Sequence, residues 1–139
     1  MAQTVSDVMT RDPATIERDD SSAEAARRMA ATGAGDVVVL SNGKVCGIVT
    51  DRDIAIRLVA EDKPGSTPVG EIVTDSELTT VSPDTPLDQA IQLIRARAVR
   101  RLPVVERGRA VGILSLGDLA IERDPESALA DVSAARDNT

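Results

Sequence analysis

Apolar residues gather into two hairpin-like patterns. Residues 37–40 and 45–49 flank Asn42-Gly43, and residues 102–105 and 110–114 flank Arg107-Gly108, so each pair predicts two antiparallel strands joined by a tight turn. A helix is expected before each hairpin. Ser21, three residues ahead of Glu24, marks a capping-box start for a helix through about residue 32; its counterpart starts at Thr85 with Pro86 in the first turn. A second helix follows each hairpin, over residues 50 to about 61 and 115 to about 123, each starting at a hydroxyl residue. With a short strand ahead of the first helix, both stretches read as strand, helix, two strands, helix. Met9 and Met29 are read as core residues.

The likeness of the two stretches extends to single residues. A shift of 65 lays Thr15-Ile16 on Thr80-Val81, Asp19 on Asp84, Ala25 on Ala90 and Gly43 on Gly108. In the same register, residues 47–54 (GIVTDRDI) fall on residues 112–119 (GILSLGDL), keeping the glycine, the hydroxyl and the aspartate. Upstream, residues 5–10 (VSDVMT) match residues 69–74 (VGEIVT) at a shift of 64. The chain is therefore two copies of one supersecondary unit. The expected division is a first repeat over 1–62, a linker over 63–68, a second repeat over 69–123 and a tail over 124–139. A unit of about 60 residues buries little apolar surface alone, so the copies are expected to pack by pseudo-twofold symmetry around a central cleft.

Composition narrows the chemistry. The 139 residues include no Trp, Tyr, Phe or His and one Cys, with a formal charge of -7. Without His or several Cys, the usual general acid–base groups, nucleophile triads and zinc sites are missing, and an enzyme is not expected. Asp51 and Asp53 in one turn supply too few oxygens for Mg²⁺ or Ca²⁺. Any purine pocket must have aliphatic walls. Cys46, between Val45 and Gly47-Ile48, is expected to be a small buried hydrophobe. No signal-peptide pattern opens the chain and no apolar run approaches the roughly 20 residues of a membrane helix, so a soluble, cytoplasmic protein is expected. Six Arg between positions 95 and 109 form a basic concentration, but an acidic chain without aromatic residues makes nucleic acid an unfavoured partner.

The opening at 5–10, the run Arg100-Arg101-Leu102-Pro103-Val104-Val105, and the Gly-hydrophobic-x-Thr/Ser-x-x-Asp endings at 47–53 and 112–118 together resemble CBS domains. The tandem resembles a CBS pair, or Bateman module, of the free-standing kind with no enzyme or transporter domain attached. The resemblance implies an α/β fold of two CBS domains and a regulatory role, with an adenosyl ligand (AMP, ADP, ATP, NAD or S-adenosylmethionine) bound in the cleft. It also implies a homodimer joined through its helices into a flat disc, and an effector protein of unknown identity. In the family the hydroxyl residue of each ending contacts phosphate and the aspartate holds the ribose hydroxyls, roles that suit a helix start and a carboxylate one turn on. Gly47 and Gly112 would let a ligand or another backbone approach closely.

The resemblance implies Ser115, Asp118, Arg100 and Arg101 as the preferred nucleotide site, with Thr15 and Ile16 against the adenine. Thr50 and Asp53, with Thr80 and Val81, form the weaker site. The preference rests on charge: Gly35 and Asp36 stand where the second copy has Arg100 and Arg101, and Asp51 stands where it has Leu116. Val38 replaces Pro103, so the first copy's strand is expected to present its backbone differently. A plainer reading competes, because Thr-x-x-Asp and Ser-x-x-Asp at a helix start also form a capping box. On that reading the chain is a ligand-free dimeric interaction protein.

Overall fold

The computed structural model describes residues 3–73 and 78–123; the expected tail over 124–139 lies outside the described residues. In order, the elements are α1 (Val5–Val8), β1 (Thr10–Arg11), β2 (Thr15–Glu17), α2 (Ser22–Thr32), β3 (Asp36–Ser41), β4 (Lys44–Thr50), α3 (Asp51–Asp53), α4 (Leu87–Arg97), β5 (Arg101–Glu106), β6 (Arg109–Ser115) and α5 (Leu116–Arg123). The fold is mixed α/β and carries the predicted repeat twice. Two three-stranded sheets form, ordered β2-β3-β4 and β1-β6-β5.

Both hairpins close as the sequence predicts. Asn42 and Gly43 have φ of 53° and 82°, and Arg107 and Gly108 repeat these values, the two positive angles of a type I′ turn whose twist matches that of the strands. A β-bulge recurs in both, between Val39 and Leu40 and between Val104 and Val105. It corrects the expectation for Cys46. Val39 pairs with Gly47 and Leu40 with Val45, leaving Cys46 as the extra, unpaired residue, and its side chain is exposed rather than buried. Local desolvation raises its thiol above the ordinary range, so the sulfur is not activated.

Helix α2 starts where Ser21 caps it, the hydroxyl accepting from the Glu24 amide at 3.1 Å, and ends at Gly33 with φ of 73°. Ala25 and Met29 face the core one turn apart. For α4 the expected start moves by one residue. Pro86, not Thr85, is the N-cap, and the Thr85 hydroxyl instead accepts from the Ser82 amide at 3.0 Å. The second helix of the first copy also differs from expectation, because after α3 it continues over Ile54–Val59 as a π-helix, with Ala60 N–H donating to the Ala55 carbonyl at 3.0 Å.

The compact units cut the chain elsewhere than the repeats do. One unit, here the β4 unit, holds the described residues between 14 and 78; the other, the β6 unit, joins residues 3–13 to the described residues from 79 onward. The leading segment of each repeat thus packs on the body of the other. The seams match bond for bond. In the β6 unit Val5 N–H donates to Thr85 O (2.9 Å), Ser6 to Pro83 O (3.0 Å) and Leu87 to Gln3 O (2.9 Å); in the β4 unit Val69 donates to Asp20 O (2.8 Å), Gly70 to Arg18 O (2.9 Å) and Ser22 to Thr67 O (2.8 Å). Two of these bonds satisfy first-turn amides of α2 and α4 that no helix can satisfy internally. The β4 core includes Ile16, Met29, Val37, Val49 and Ile72, and the β6 core includes Val5, Met9, Leu87, Leu102 and Leu114. Met9 and Met29 are core residues, as read.

The Val38 and Pro103 exchange has a backbone consequence. Val38 N–H donates to the Ala14 carbonyl at 2.9 Å, and β2 pairs with β3 over three residues. Proline has no N–H to offer. In the second copy the expected short strand is reduced to a single parallel bridge, Val81 with Val104.

Candidate functional site

Each candidate site is built where a β-hairpin runs into a helix. In the β6 unit, Ser115 ends β6 and Asp118 stands in the first turn of α5. The Asp118 amide donates to the Ser115 hydroxyl (3.0 Å) while the Asp118 carboxylate accepts from the Ser115 amide (3.1 Å), a reciprocal capping box. Register brings the arginines to the same end: Arg101 pairs directly with Ser115 across the sheet, and the Arg100 carbonyl accepts from the Leu116 amide at 2.8 Å. Arg100 is exposed and Arg101 half-buried. The backbone therefore brings four of the preferred site residues to one end of the sheet.

Thr50 and Asp53 repeat the arrangement in the β4 unit, the carboxylate accepting from the Thr50 amide (2.9 Å) and the Asp53 amide donating to the Thr50 hydroxyl (3.2 Å). The two ends differ in charge. Asp53 lies 3.8 Å from Arg57 one turn on. The Asp51 carboxylate packs over Gly35, so closely that a Cβ at Gly35 would lie 2.8 Å from it. Position 35 is the counterpart of Arg100, so an acidic group covers the position that an arginine holds in the other copy.

Asp118 has a further neighbour from another part of the chain. The hydroxyl of Thr10, on β1, donates to both carboxylate oxygens at 3.3 and 3.4 Å. β1 reaches this place by pairing with β6, Thr10 with Ile113 and Arg11 with Gly112. Gly112 is required there, since a Cβ would meet Met9 Sδ at 2.6 Å and the Thr10 carbonyl oxygen at 2.9 Å. Of the two approaches expected at this glycine, that of another backbone is the one the geometry displays. Burial raises the Asp118 carboxyl above its ordinary range, against the lowering effect of the Ser115 and Thr10 bonds.

The residues expected against the adenine belong to the opposite units. Thr15 and Ile16 lie on β2 in the β4 unit, and Thr80 and Val81 in the β6 unit. The Thr15 carbonyl accepts from the Arg28 guanidinium, and the Ile16 side chain is in the core. Val81 is also a core residue, its amide donating to Pro103 O at 3.1 Å, whereas Thr80 is exposed. Sequence reasoning missed Thr10. The signal available was the repeat of Thr10 at Thr74 within the matched openings.

Both repeats match the CBS domain family model, over residues 5–60 and 69–123, and the chain belongs to that family. It is 40% identical over 119 residues to the CBS domain-containing protein YhcV of Bacillus subtilis, covering 86% of this chain and 84% of the relative. Among solved structures, the CBS domain pair of protein MJ0100 in complex with 5′-methylthioadenosine and S-adenosyl-L-methionine superposes with a TM-score of 0.79 at 26% identity, covering 91% of this chain and all of that one. The CBS domain protein PAE2072 from Pyrobaculum aerophilum, complexed with AMP, gives 0.78 at 27% identity, covering 93% and 99%. Among the described residues, no helix is long and apolar enough to cross a membrane.

Proposed function

We propose that this chain is a non-catalytic regulatory module that binds an adenosyl ligand at the Ser115–Asp118 end, with Arg100 and Arg101 favouring a phosphorylated ligand such as AMP. The observation that carries this reading is the contrast between the two ends. The same reciprocal cap holds Asp118 and Asp53, but the backbone of Arg100 and Arg101 runs beside the first, whereas at the second the Asp51 carboxylate packs over Gly35 and Arg57 already lies 3.8 Å from Asp53. A cis-diol can donate two hydrogen bonds to a carboxylate, and a phosphate gains from Arg pairing. The Thr50–Asp53 end suits an uncharged adenosine better than a nucleotide. The AMP and methylthioadenosine bound to the two structural relatives support the ligand class. The ligand would act by its unequal affinity for two conformations or two assembly states of the protein, passing the change to an effector or through a homodimer.

The reciprocal caps favour a second reading, since each aspartate is already engaged by its own helix start. On that reading the protein binds no ligand and acts through its surface alone. Calorimetric titration with AMP and with 5′-methylthioadenosine separates the two. Asp118→Ala is expected to weaken AMP binding about ten- to hundredfold, the worth of hydrogen bonds to a charged group. Arg100→Ala should weaken AMP and leave methylthioadenosine unchanged. Failure of the native protein to bind either compound supports the ligand-free reading.

A further inference from the structure

We propose that Thr10 is a built-in competitor for the Asp118 carboxylate, a specificity-determining hydroxyl that the ligand's ribose must displace. The inference rests on the assignment of Asp118 as the ribose-holding group and adds a residue from a different part of the chain. Its basis is the placement of one hydroxyl. Thr10 Oγ1 stands 3.3 Å from one carboxylate oxygen and 3.4 Å from the other, bridging both instead of bonding one well. That bridging position is the one from which the two hydroxyls of a cis-diol would donate.

The remaining acceptor capacity is limited. One oxygen, Oδ2, already accepts from the Ser115 amide at 3.1 Å, a helix-capping bond that the ligand has no reason to break. The Thr10 bonds are longer than the usual 2.5–3.0 Å range for hydroxyl donors and are therefore the ones to yield. Thr10 is exposed and lies on a strand of two residues, so its side chain can turn away without opening the core. Met9, its neighbour, anchors the segment from the other side. A ligand offering a full diol replaces both bonds; a ligand offering one hydroxyl replaces them poorly. Thr10 would thereby raise the threshold for binding and sharpen the preference for an intact ribose.

The test uses Thr10→Val, which keeps the shape and the β-branch but removes the hydroxyl, and Thr10→Ser, which keeps the hydroxyl. The probes are 5′-methylthioadenosine, whose lack of phosphate isolates the ribose contact, and its 2′-deoxy analogue. Thr10→Val is expected to bind methylthioadenosine about two- to tenfold more tightly than the native protein, the net worth of one hydrogen bond over its aqueous replacement. It should also discriminate less against the deoxy analogue, and Thr10→Ser should restore native behaviour. Unchanged or weaker binding by Thr10→Val overturns the proposal while leaving the ribose assignment intact. If Asp118→Ala binds as well as the native protein, or no variant binds either probe, the ribose assignment falls and the proposal falls with it. A ligand-independent readout checks the contact itself: NMR titration of the Asp118 carboxyl carbon should show a higher pKa in Thr10→Val, because a bond to the charged form is gone, and an unchanged value overturns the proposal.

Discussion

Gly47 and Gly112 occupy the same place in the two repeats, which makes one substitution and its own control available in a single chain. A methyl group added to Gly112 would lie 2.6 Å from Met9 Sδ, 2.9 Å from the Thr10 carbonyl oxygen and 3.1 Å from Met9 Cγ. The Met9 side chain is packed in the core, and the carbonyl belongs to backbone held by the β1–β6 pairing, so neither yields freely. Overpacking of this kind costs about 1–3 kcal/mol, offset by about 0.4–1 kcal/mol from the stiffer unfolded chain. Gly112→Ala should therefore lose about 1–2 kcal/mol. At Gly47 the nearest atom to an added methyl is Val73 Cγ1 at 3.7 Å, an ordinary contact. Gly47→Ala should match the native protein or exceed it by up to about 1 kcal/mol. Urea unfolding followed by far-ultraviolet circular dichroism is the suitable assay, because the chain has no Trp or Tyr to report by fluorescence. With a slope of about 1–3 kcal/mol per molar urea, the two midpoints should separate by about 0.3 M or more. Equal losses at both glycines, or a Gly112→Ala protein as stable as the native one, would refute the close-approach argument. Because the same methyl pushes β1 away from β6, Gly112→Ala should also disturb the bond between Thr10 and Asp118.

Two further outcomes follow from local geometry. Ala98 ends α4 in the left-handed region at φ of 53°, where the first repeat has Gly33 at 73°; Ala98→Gly should stabilise the protein by about 0.5–1 kcal/mol, read as a higher urea midpoint. Burial raises the Asp118 carboxyl in the folded state, so folding takes up a proton between the unfolded pKa and the higher folded one. The stability of the native protein relative to Asp118→Asn should therefore be greatest below the ordinary carboxyl range and should fall as pH rises through the folded pKa. Paired urea midpoints across that range check the sign, and a difference independent of pH would contradict it.

What the linear chain determined by itself is local or periodic. The two hairpins were legible because Asn42-Gly43 and the Gly108 position supply the positive φ values that a two-residue turn demands. The helix starts were legible at Ser21, Thr50 and Ser115, where a hydroxyl can reach an amide three residues on. The shift of 65 exposed the repeat, and with it the family and the pair of candidate carboxylates. Arg100 and Arg101 stand at the start of the hairpin that leads into the Asp118 helix, so their backbone falls beside Ser115 and Leu116.

Tertiary structure decided what depends on where the chain returns. No local pattern announces that residues 3–13 pack with the second repeat's body, or that the Gln3 and Thr67 carbonyls satisfy the first amides of α4 and α2. Thr10 meets Asp118 across 108 positions of sequence, so its hydroxyl looked like one more polar group until β1 paired with β6. Cys46 read as buried from its apolar neighbours, but a bulge, set by how two strands register, turned it to solvent. The exchange of Val38 for Pro103 was visible as a letter; that it shortens a strand to one bridge emerged only when the missing N–H was matched to the carbonyl it would have met. Turns and caps are closed by atoms a few bonds apart along the backbone, whereas seams, bulges and the surroundings of a half-buried carboxylate are closed by groups that only the folded chain brings within hydrogen-bonding distance.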